Sequence, residues 1–490
     1  MSALLDLPTE LIARILEELD FSSLIVCQLM QVCQKFRSII QSSSPLQYAI
    51  TLKASGMQDG PDGPLSSAER LSILKRHSQA WKTLTFSSTS SDDMPLGGLY
   101  ELYGNVLVQS LGPREFHLKQ LPSQIRGIEE RNWNLRFNFD VRDFGMDPAQ
   151  DLLFLLQTCG SPDGVMYIHV LSLTTGGVHP LAPNEAGIIE YPISSQNLGF
   201  AVQVHDDYFG VLIEPRRDEV QNELIILNWK TTAIEMVLNG LEVASFSFLS
   251  ERHVVVTSLC DRSESYAAPI LLVYDFKAMS PEPADPKDAP YVCQFFLPEL
   301  DDHAVAAYML IRSDPAPQWS PSPDLHVPFH IAHDHRLFVL SLLVIVRGDM
   351  EAFDCFIPSS TIMAFVKEAE EGGLSVDATW DEWGPTGSLL YRVPVQQPVF
   401  VCYVFGMRYV NKTCTEEPSE ESWMVMSREG EARGHWRDNR KVSTSMPFIV
   451  KYMPLPEEVR VERDACMMII PVDHRDSLAL DVVILRKSRP

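Results

Sequence analysis

The sequence predicts an α+β multidomain chain, with a small all-α N-terminal module followed by a mainly-β C-terminal domain that has the repeat spacing of a β-propeller. Three observations carry this. Apolar residues recur at helical spacing over the first forty residues, the period changes to that of strands from about Leu96, and three later segments resemble one another at intervals near fifty residues. The predicted division is 1–50 for the helical module, 51–95 for a helical linker and 96–490 for the β domain with long loop insertions.

The module is read first. Pro8 suits a first helical turn, where its missing N–H costs nothing. Leu11, Ile15 and Leu19 follow at four-residue steps with Ile12 and Leu16 beside them, which predicts one amphipathic helix. Asp20 to Ser23 breaks the run, and Ile25, Leu29, Val32 and Phe36 predict a second helix leading into a third. Of the 34 residues from Leu7 to Ile40, 19 are apolar, a higher share than the 45% of the whole chain. A segment below about 40 residues seldom makes a self-sufficient core, so something else must cover this surface.

In the linker, Ser44-Pro45-Leu46-Gln47 has the pattern of a capping box with Pro at the first helical position, and Gly56 is placed to stop that helix. The turn-rich DGPDGP from Asp59 to Pro64 precedes a second capping box, Ser66-Ser67-Ala68-Glu69, and a helix with Leu71, Leu74 and Trp81 on one face.

Beyond Leu96, short apolar runs alternate with Gly, Pro, Asp and Ser clusters. VLSLTTG at Val170, ILNWKTT at Ile226 and VYDFKAM at Val273 each place a small polar residue third: Ser172, Asn228 and Asp275. The preceding apolar runs DLLFLLQT, FGVLIEP and HVVVTSL make each segment half of an antiparallel unit. A period of 40 to 50 residues with several strands per repeat is that of a propeller blade, and the length allows six to eight blades. The region resembles the propellers of WD-repeat proteins in spacing, without their regular Gly-His and Trp-Asp dipeptides. SDPAPQWSPSPDLHVP near Ser313 and TCTEEPSEES near Thr413 read as long insertions, and ALDVVILRK from Ala479 is placed to close the ring by pairing with the first blade.

Composition bounds the function. The formal charge of −25 argues against a nucleic-acid ligand, whose phosphates require a basic face. The longest apolar run, Leu337 to Val346, is far short of the roughly 20 residues of a membrane-spanning helix, so no membrane partner is expected. The N-terminus lacks the pattern of a secretory signal, and nine cysteines without close pairing fit reduced thiols; the expected location is cytoplasmic, nuclear or both. On that reading Asn411-Lys412-Thr413 is a glycosylation sequon in name only.

Few residues point to bond chemistry. His330, His333 and His335, with Asp334, invite a metal reading, but on a strand His333 and His335 share a face and His330 lies on the other, so they read as solvated loop histidines. The pairs Asp206-Asp207, Asp301-Asp302 and Glu370-Glu371 are expected by chance in so acidic a chain. Trp380 and Trp383 offer either a recognition surface or, the favoured reading, packing between blades. Ser419 and Ser422 among glutamates are candidate phosphate acceptors in a charged loop. No hydrolase elbow, zinc helix or phosphate-binding glycine loop is found, and neither a cofactor, a metal nor a catalytic residue is expected.

The order of residues near the N-terminus resembles the F-box family: Leu7-Pro8, Glu10-Leu11, Ile15-Leu16, Leu19-Asp20, Ser22 with Leu24, Val32-Cys33 and Phe36. The resemblance implies a non-catalytic subunit of a ubiquitin ligase that docks on a Skp-type adaptor, and through it on cullin and RING subunits. The β domain would then present a protein substrate, which the sequence does not identify. The implied adaptor contacts are Leu7, Pro8, Leu11, Ile15, Leu24, Val32, Cys33 and Phe36, some of which must instead hold the module together. Two other readings stay open, a ligase-independent scaffold and a propeller enzyme with a helical appendage.

Overall fold

The computed structural model describes residues 6–19, 34–83, 98–122, 128–158, 164–195, 197–215, 221–259, 269–393 and 404–409, and strand backbone at 86–94, 411–414, 421–426, 430–432, 442–444, 450–454, 465–473 and 480–487. Helix α1 (Thr9–Glu17) packs on α2 (Gln34–Ser42) and α3 (Ser44–Ala54). Their shared core is Ile12, Leu16, Ile39, Ile40, Leu46 and Ile50, with Leu7, Ala13 and Phe36 partly buried against it. Pro8 stands one place before its expected position: it is the N-cap of α1, and its carbonyl accepts the Leu11 and Ile12 N–H groups at 3.1 Å. The second predicted helix falls mainly in 20–33, outside the described residues.

The capping box expected at Ser44 does not form. Helix α3 begins at Ser44 behind Ser43, which makes no side-chain cap, and the Gln47 amide instead donates to the Ile40 carbonyl of the preceding helix at 3.1 Å. The helix ends as expected, with Gly56 left-handed at φ +64. The second box is present: Ser66 N–H and Oγ–H both donate to Glu69 Oε2, at 2.8 and 2.7 Å, and α4 (Ser67–Thr83) follows.

Residues 51–95 are not wholly helical. Met57–Asp59 is a strand, and so is Phe86–Met94, ten residues before the expected start of β structure. The latter reads FSSTSSDDM, too polar to register as an apolar alternation.

Among the described residues, seven sheets of three or more strands follow. Sheet one is Tyr100–Tyr103, Val106–Gly112, Glu115–Gln120 and Arg131–Arg136; sheet two is Asp143–Asp147, Leu152–Thr158, Val165–Ser172 and Ile188–Pro192. Sheet three is Leu198–His205, Tyr208–Pro215, Asn222–Asn228 and Ile234–Gly240; sheet four is Val243–Phe248, His253–Ser258, Ile270–Asp275 and Cys293–Phe296, with Val376–Ala378 added in parallel. Sheet five is Ala304–Arg312, Leu337–Val346, Asp349–Pro358 and Leu389–Val393. The sixth holds Asn411–Cys414, Glu421–Met426 and Val450–Pro454. In the seventh, Leu480–Lys487 lies between Ala465–Asp473 and Phe86–Met94, so the closing strand pairs with a strand ahead of the first blade rather than with the blade itself.

The first five sheets are antiparallel meanders whose first strands neighbour one another in chain order, the arrangement of propeller blades. The expected repeat has a physical basis. Ser172, Asn228 and Asp275 each end a third strand and accept backbone N–H groups from the turn that follows: Thr175, then Lys230 and Thr231, then Lys277. In each case the next residue is buried and its N–H returns to the hairpin between first and second strands, Leu173 to Asp151, Trp229 to Asp207 and Phe276 to Arg252. Leu121 bonding Asn105 and Ser359 bonding Arg336 are two further copies. Helices α5 (Ser359–Gly372) and α6 (Trp380–Gly387) are inserted after the last of these.

Candidate functional site

Helix α1 divides its apolar residues between two faces. Ile12 and Leu16 are buried at 1% and 3% exposure, whereas Leu11, Ile15 and Leu19 keep 47%, 42% and 36%. Leu11 and Ile15 stand four residues apart and so share the outer face of the helix, and Leu19, two residues past its end, adds exposed apolar surface beyond them. An apolar row left in water beside an otherwise charged surface, with Glu10, Arg14, Glu17 and Glu18 all exposed, has the make-up of a docking surface. Of the expected contact residues, Pro8, Leu11 and Ile15 are exposed, Leu7 and Phe36 are half-buried against the module's own core, and Leu24, Val32 and Cys33 lie outside the described residues.

The module is fixed to the β domain by buried polar groups. Strand Met57–Asp59 pairs antiparallel with Phe329–Ile331, which belongs to the long connection between the first two strands of sheet five. Arg70, buried on α4, bonds Asp59 Oδ1 at 2.6 Å and donates to the carbonyls of Gly60, Pro61 and Pro328. Burial pulls this guanidinium down, but the Asp59 carboxylate and Tyr48 outweigh it and the net shift is upward. Tyr48 completes the group, its hydroxyl reaching Asp59 at 2.7 Å and the Pro328 carbonyl at 2.9 Å; desolvation, then Asp59, hold the phenol well above its ordinary range. His77 meets Phe329 edge-on, and Arg408 stacks over Trp81 at 4.3 Å. Gly60 has no alternative residue here, because a Cβ would stand 1.7 Å from the Val327 carbonyl oxygen. The periodicity of the sequence marked Leu71, Leu74 and Trp81; the buried face is Arg70, Leu74, His77 and Ala80, so two polar residues at helical spacing were the missed signal.

The same connection, residues 313–336, runs across one end of the β domain. Arg312, just before it, bridges Glu101 and Asp314 at 2.7 and 2.9 Å, Ala316 N–H donates to the Tyr103 hydroxyl, and Trp319 Nε1 donates to Asp147 at 2.9 Å. Burial raises the Asp147 carboxyl, and the bonds from Gln150, Trp319 and Ala149 oppose that rise. Arg336 closes the segment, donating to the Phe248 and Leu249 carbonyls; full burial pushes it down to about 10, which leaves it charged at neutral pH. The segment read as an insertion is therefore a strap tying sheets one, two, four and five to the helical module.

Residues 4–48 match the family profile described as F-box domain. The chain carries an F-box domain. No curated protein matches the chain. Among solved structures, a complex of KlAtg21 with the coiled-coil of AgAtg16 is similar at 7% identity and TM-score 0.34, covering 75% of this chain and 88% of that one. The WD40 domain of SCAP from fission yeast gives 10% and 0.28 over 72% and 85%, and the uncharacterized protein lmo1340 from Listeria monocytogenes EGD-e gives 8% and 0.29 over 69% and 90%. Scores this low bear on no ligand or partner of this chain. The exposed stripe of α1 lies inside the F-box.

The other residues singled out by the sequence stand apart from the F-box stripe. His330 is buried on the strand that pairs with Met57–Asp59, its ring 5.7 Å from that of His333, and His333 meets Ser320; among the described residues no metal-ligating group of three or more His, Cys, Asp or Glu occurs. Trp383 is buried, donates to the Phe296 carbonyl at 3.0 Å and meets Trp380 edge-on at 4.9 Å, so this pair packs α6 on sheet four. Asp207 pairs with Lys230, Glu370 with His253 and Glu371 with Lys367. Ser419 and the side chain of Ser422 lie outside the described residues.

Proposed function

We propose that this protein is a substrate receptor of a Skp-cullin-F-box ubiquitin ligase. Leu11 and Ile15, with Pro8 and the accessible parts of Leu7 and Phe36, dock a Skp-type adaptor, joined by Leu24, Val32 and Cys33 of the same motif; cullin and RING subunits follow through the adaptor. The β domain holds a protein substrate. The reading rests on one observation, the apolar stripe left exposed within the matched F-box. The chain itself does no bond chemistry in this reading; holding a substrate lysine near the charged conjugating enzyme turns an encounter between solutes into a local one.

The test is affinity purification of the tagged protein from proteasome-inhibited cells, beside the triple variant Leu7→Ala, Pro8→Ala, Leu11→Ala. Adaptor and cullin are expected with the wild type and absent with the variant. If neither sample contains adaptor, the ligase reading is wrong. If adaptor is captured but steady-state levels of the co-purified proteins do not change when the F-box is lost, the protein is a scaffold instead.

A further inference from the structure

At the end of sheet one remote from the strap, a groove of about 360 Å³ is lined by Gly98, Leu99, Leu111, Gly112, Val141 and Arg142 among others. Its position follows from one strand. Val106–Gly112 begins beside Gly104, where a Cβ would lie 2.9 Å from the strap's Trp319, and ends in the groove six residues later, roughly 20 Å away at the rise of a strand. The groove thus opens on the side of the β domain away from the F-box mount.

Three features of this groove point to a ligand. Leu111 is 43% exposed beside Leu99 and Val141, which supplies an apolar wall. Gly98 and Gly112 leave the backbone bare: a Cβ added at either meets nothing within 4 Å and neither has a left-handed φ, with Gly112 at the register shift that ends its strand pairing. Arg142, exposed at the lip, has no carboxylate partner among the described residues, in a chain of net charge −25. Other exposed arginines nearby are paired, Arg114 with Asp140 and Arg136 with Glu115.

We infer that this groove takes an extended peptide segment in which an apolar side chain stands next to a carboxylate, the apolar group against Leu111 and the carboxylate on Arg142. The inference rests on the receptor reading and names a substrate class for it: proteins displaying an acidic-apolar segment, bound on the side away from the adaptor. Bare glycine backbone allows the close approach that a peptide main chain needs, and a planar guanidinium binds a carboxylate with two parallel hydrogen bonds.

The experiment uses the full chain and two fluorescein-labelled octapeptides, Gly-Ser-Glu-Leu-Ile-Glu-Ser-Gly and its counterpart with lysine in place of both glutamates, read by anisotropy. The acidic peptide is expected to bind, the lysine peptide to bind at least about tenfold more weakly, and Arg142→Glu to reverse that preference. Gly112→Leu, which fills the groove from a position with free space around it, is expected to lower acidic-peptide affinity about tenfold or more while leaving the melting temperature unchanged. Equal binding of both peptides, or wild-type affinity in Arg142→Glu and Gly112→Leu, overturns the inference. Adaptor binding is measured on the same samples. Intact adaptor binding with indifferent groove variants sinks the groove alone, and lost adaptor binding with a selective groove sinks only the ligase reading.

Discussion

The outer face of α1 and the inner face of α4 use opposite materials. The first is apolar and in water, with Leu11, Ile15 and Leu19 exposed; the second is charged and buried, with Arg70 at 7% exposure held by Asp59, Tyr48 and three carbonyl groups. Apolar contact is non-directional and scales with area, which suits a surface meant to be covered by another molecule. Buried hydrogen bonds to a guanidinium are directional and costly to leave unmade, which suits a joint that must hold one angle. The F-box thus leaves apolar side chains open on the outer face of α1 and closes the side of its mount with hydrogen bonds.

The comparison breaks most severely if the two faces of α1 are exchangeable. Replacing Ile12 and Leu16 together by Ala removes two of the six apolar side chains at the centre of the module. It is expected to cost about 4 kcal/mol or more and to unfold the module, seen as lost protection of α1–α3 amides in hydrogen exchange. The same truncation at Leu11 and Ile15 is expected to leave that protection unchanged. Similar losses for both pairs would mean that the stripe is structural.

Arg70→Met sharpens the other half. It keeps the volume of the side chain but withdraws the guanidinium that Asp59, Gly60, Pro61 and Pro328 share, while the Tyr48 hydroxyl stays on Asp59 and Pro328. About 2 to 3 kcal/mol of junction stability is expected to go, with faster exchange at Met57–Asp59 and Phe329–Ile331 and no change within sheets two and three. Uniformly faster exchange through the β domain would show that the joint is part of the domain's core rather than a mount.

Acid acts on the β domain by a smaller effect. Desolvation pushes His169 down to about 4 and His205 to about 3, so both rings fold neutral. The unfolded chain binds these protons more tightly, at a pKa near 6.5. The stability they contribute is therefore whole above about pH 6.5 and is lost as pH falls toward 4. His205→Gln is expected to remove roughly 2 kcal/mol of the difference in urea stability between pH 7 and pH 4; an unchanged difference would place the acid-sensitive groups elsewhere.

These residues also mark where sequence was readable. The helical spacing of α1 was plain, but period alone does not say which of two adjacent apolar rows faces inward, because Leu11 and Ile12 differ only in direction. Ser172, Asn228 and Asp275 announced the blade repeat because each does the same job in its turn. The copies at Leu121 and Ser359 were hidden, since Gln120 and Pro358 occupy the equivalent place and the bond that defines them is made by backbone. The strap was visible as an insertion only; its meaning lies in partners hundreds of residues away, such as Tyr48 on Pro328 and Trp319 on Asp147. Arg70 and His77 were passed over because a polar residue on a helix is normally solvated, and their burial depends on a strand pairing that no local pattern encodes.

The most direct measurement is a calorimetric titration of purified Skp-type adaptor into the full chain, with Leu11→Ala/Ile15→Ala and Arg70→Met run in parallel. The account predicts at least about a hundredfold weaker binding for the first variant and wild-type affinity for the second. Wild-type affinity in Leu11→Ala/Ile15→Ala would contradict it.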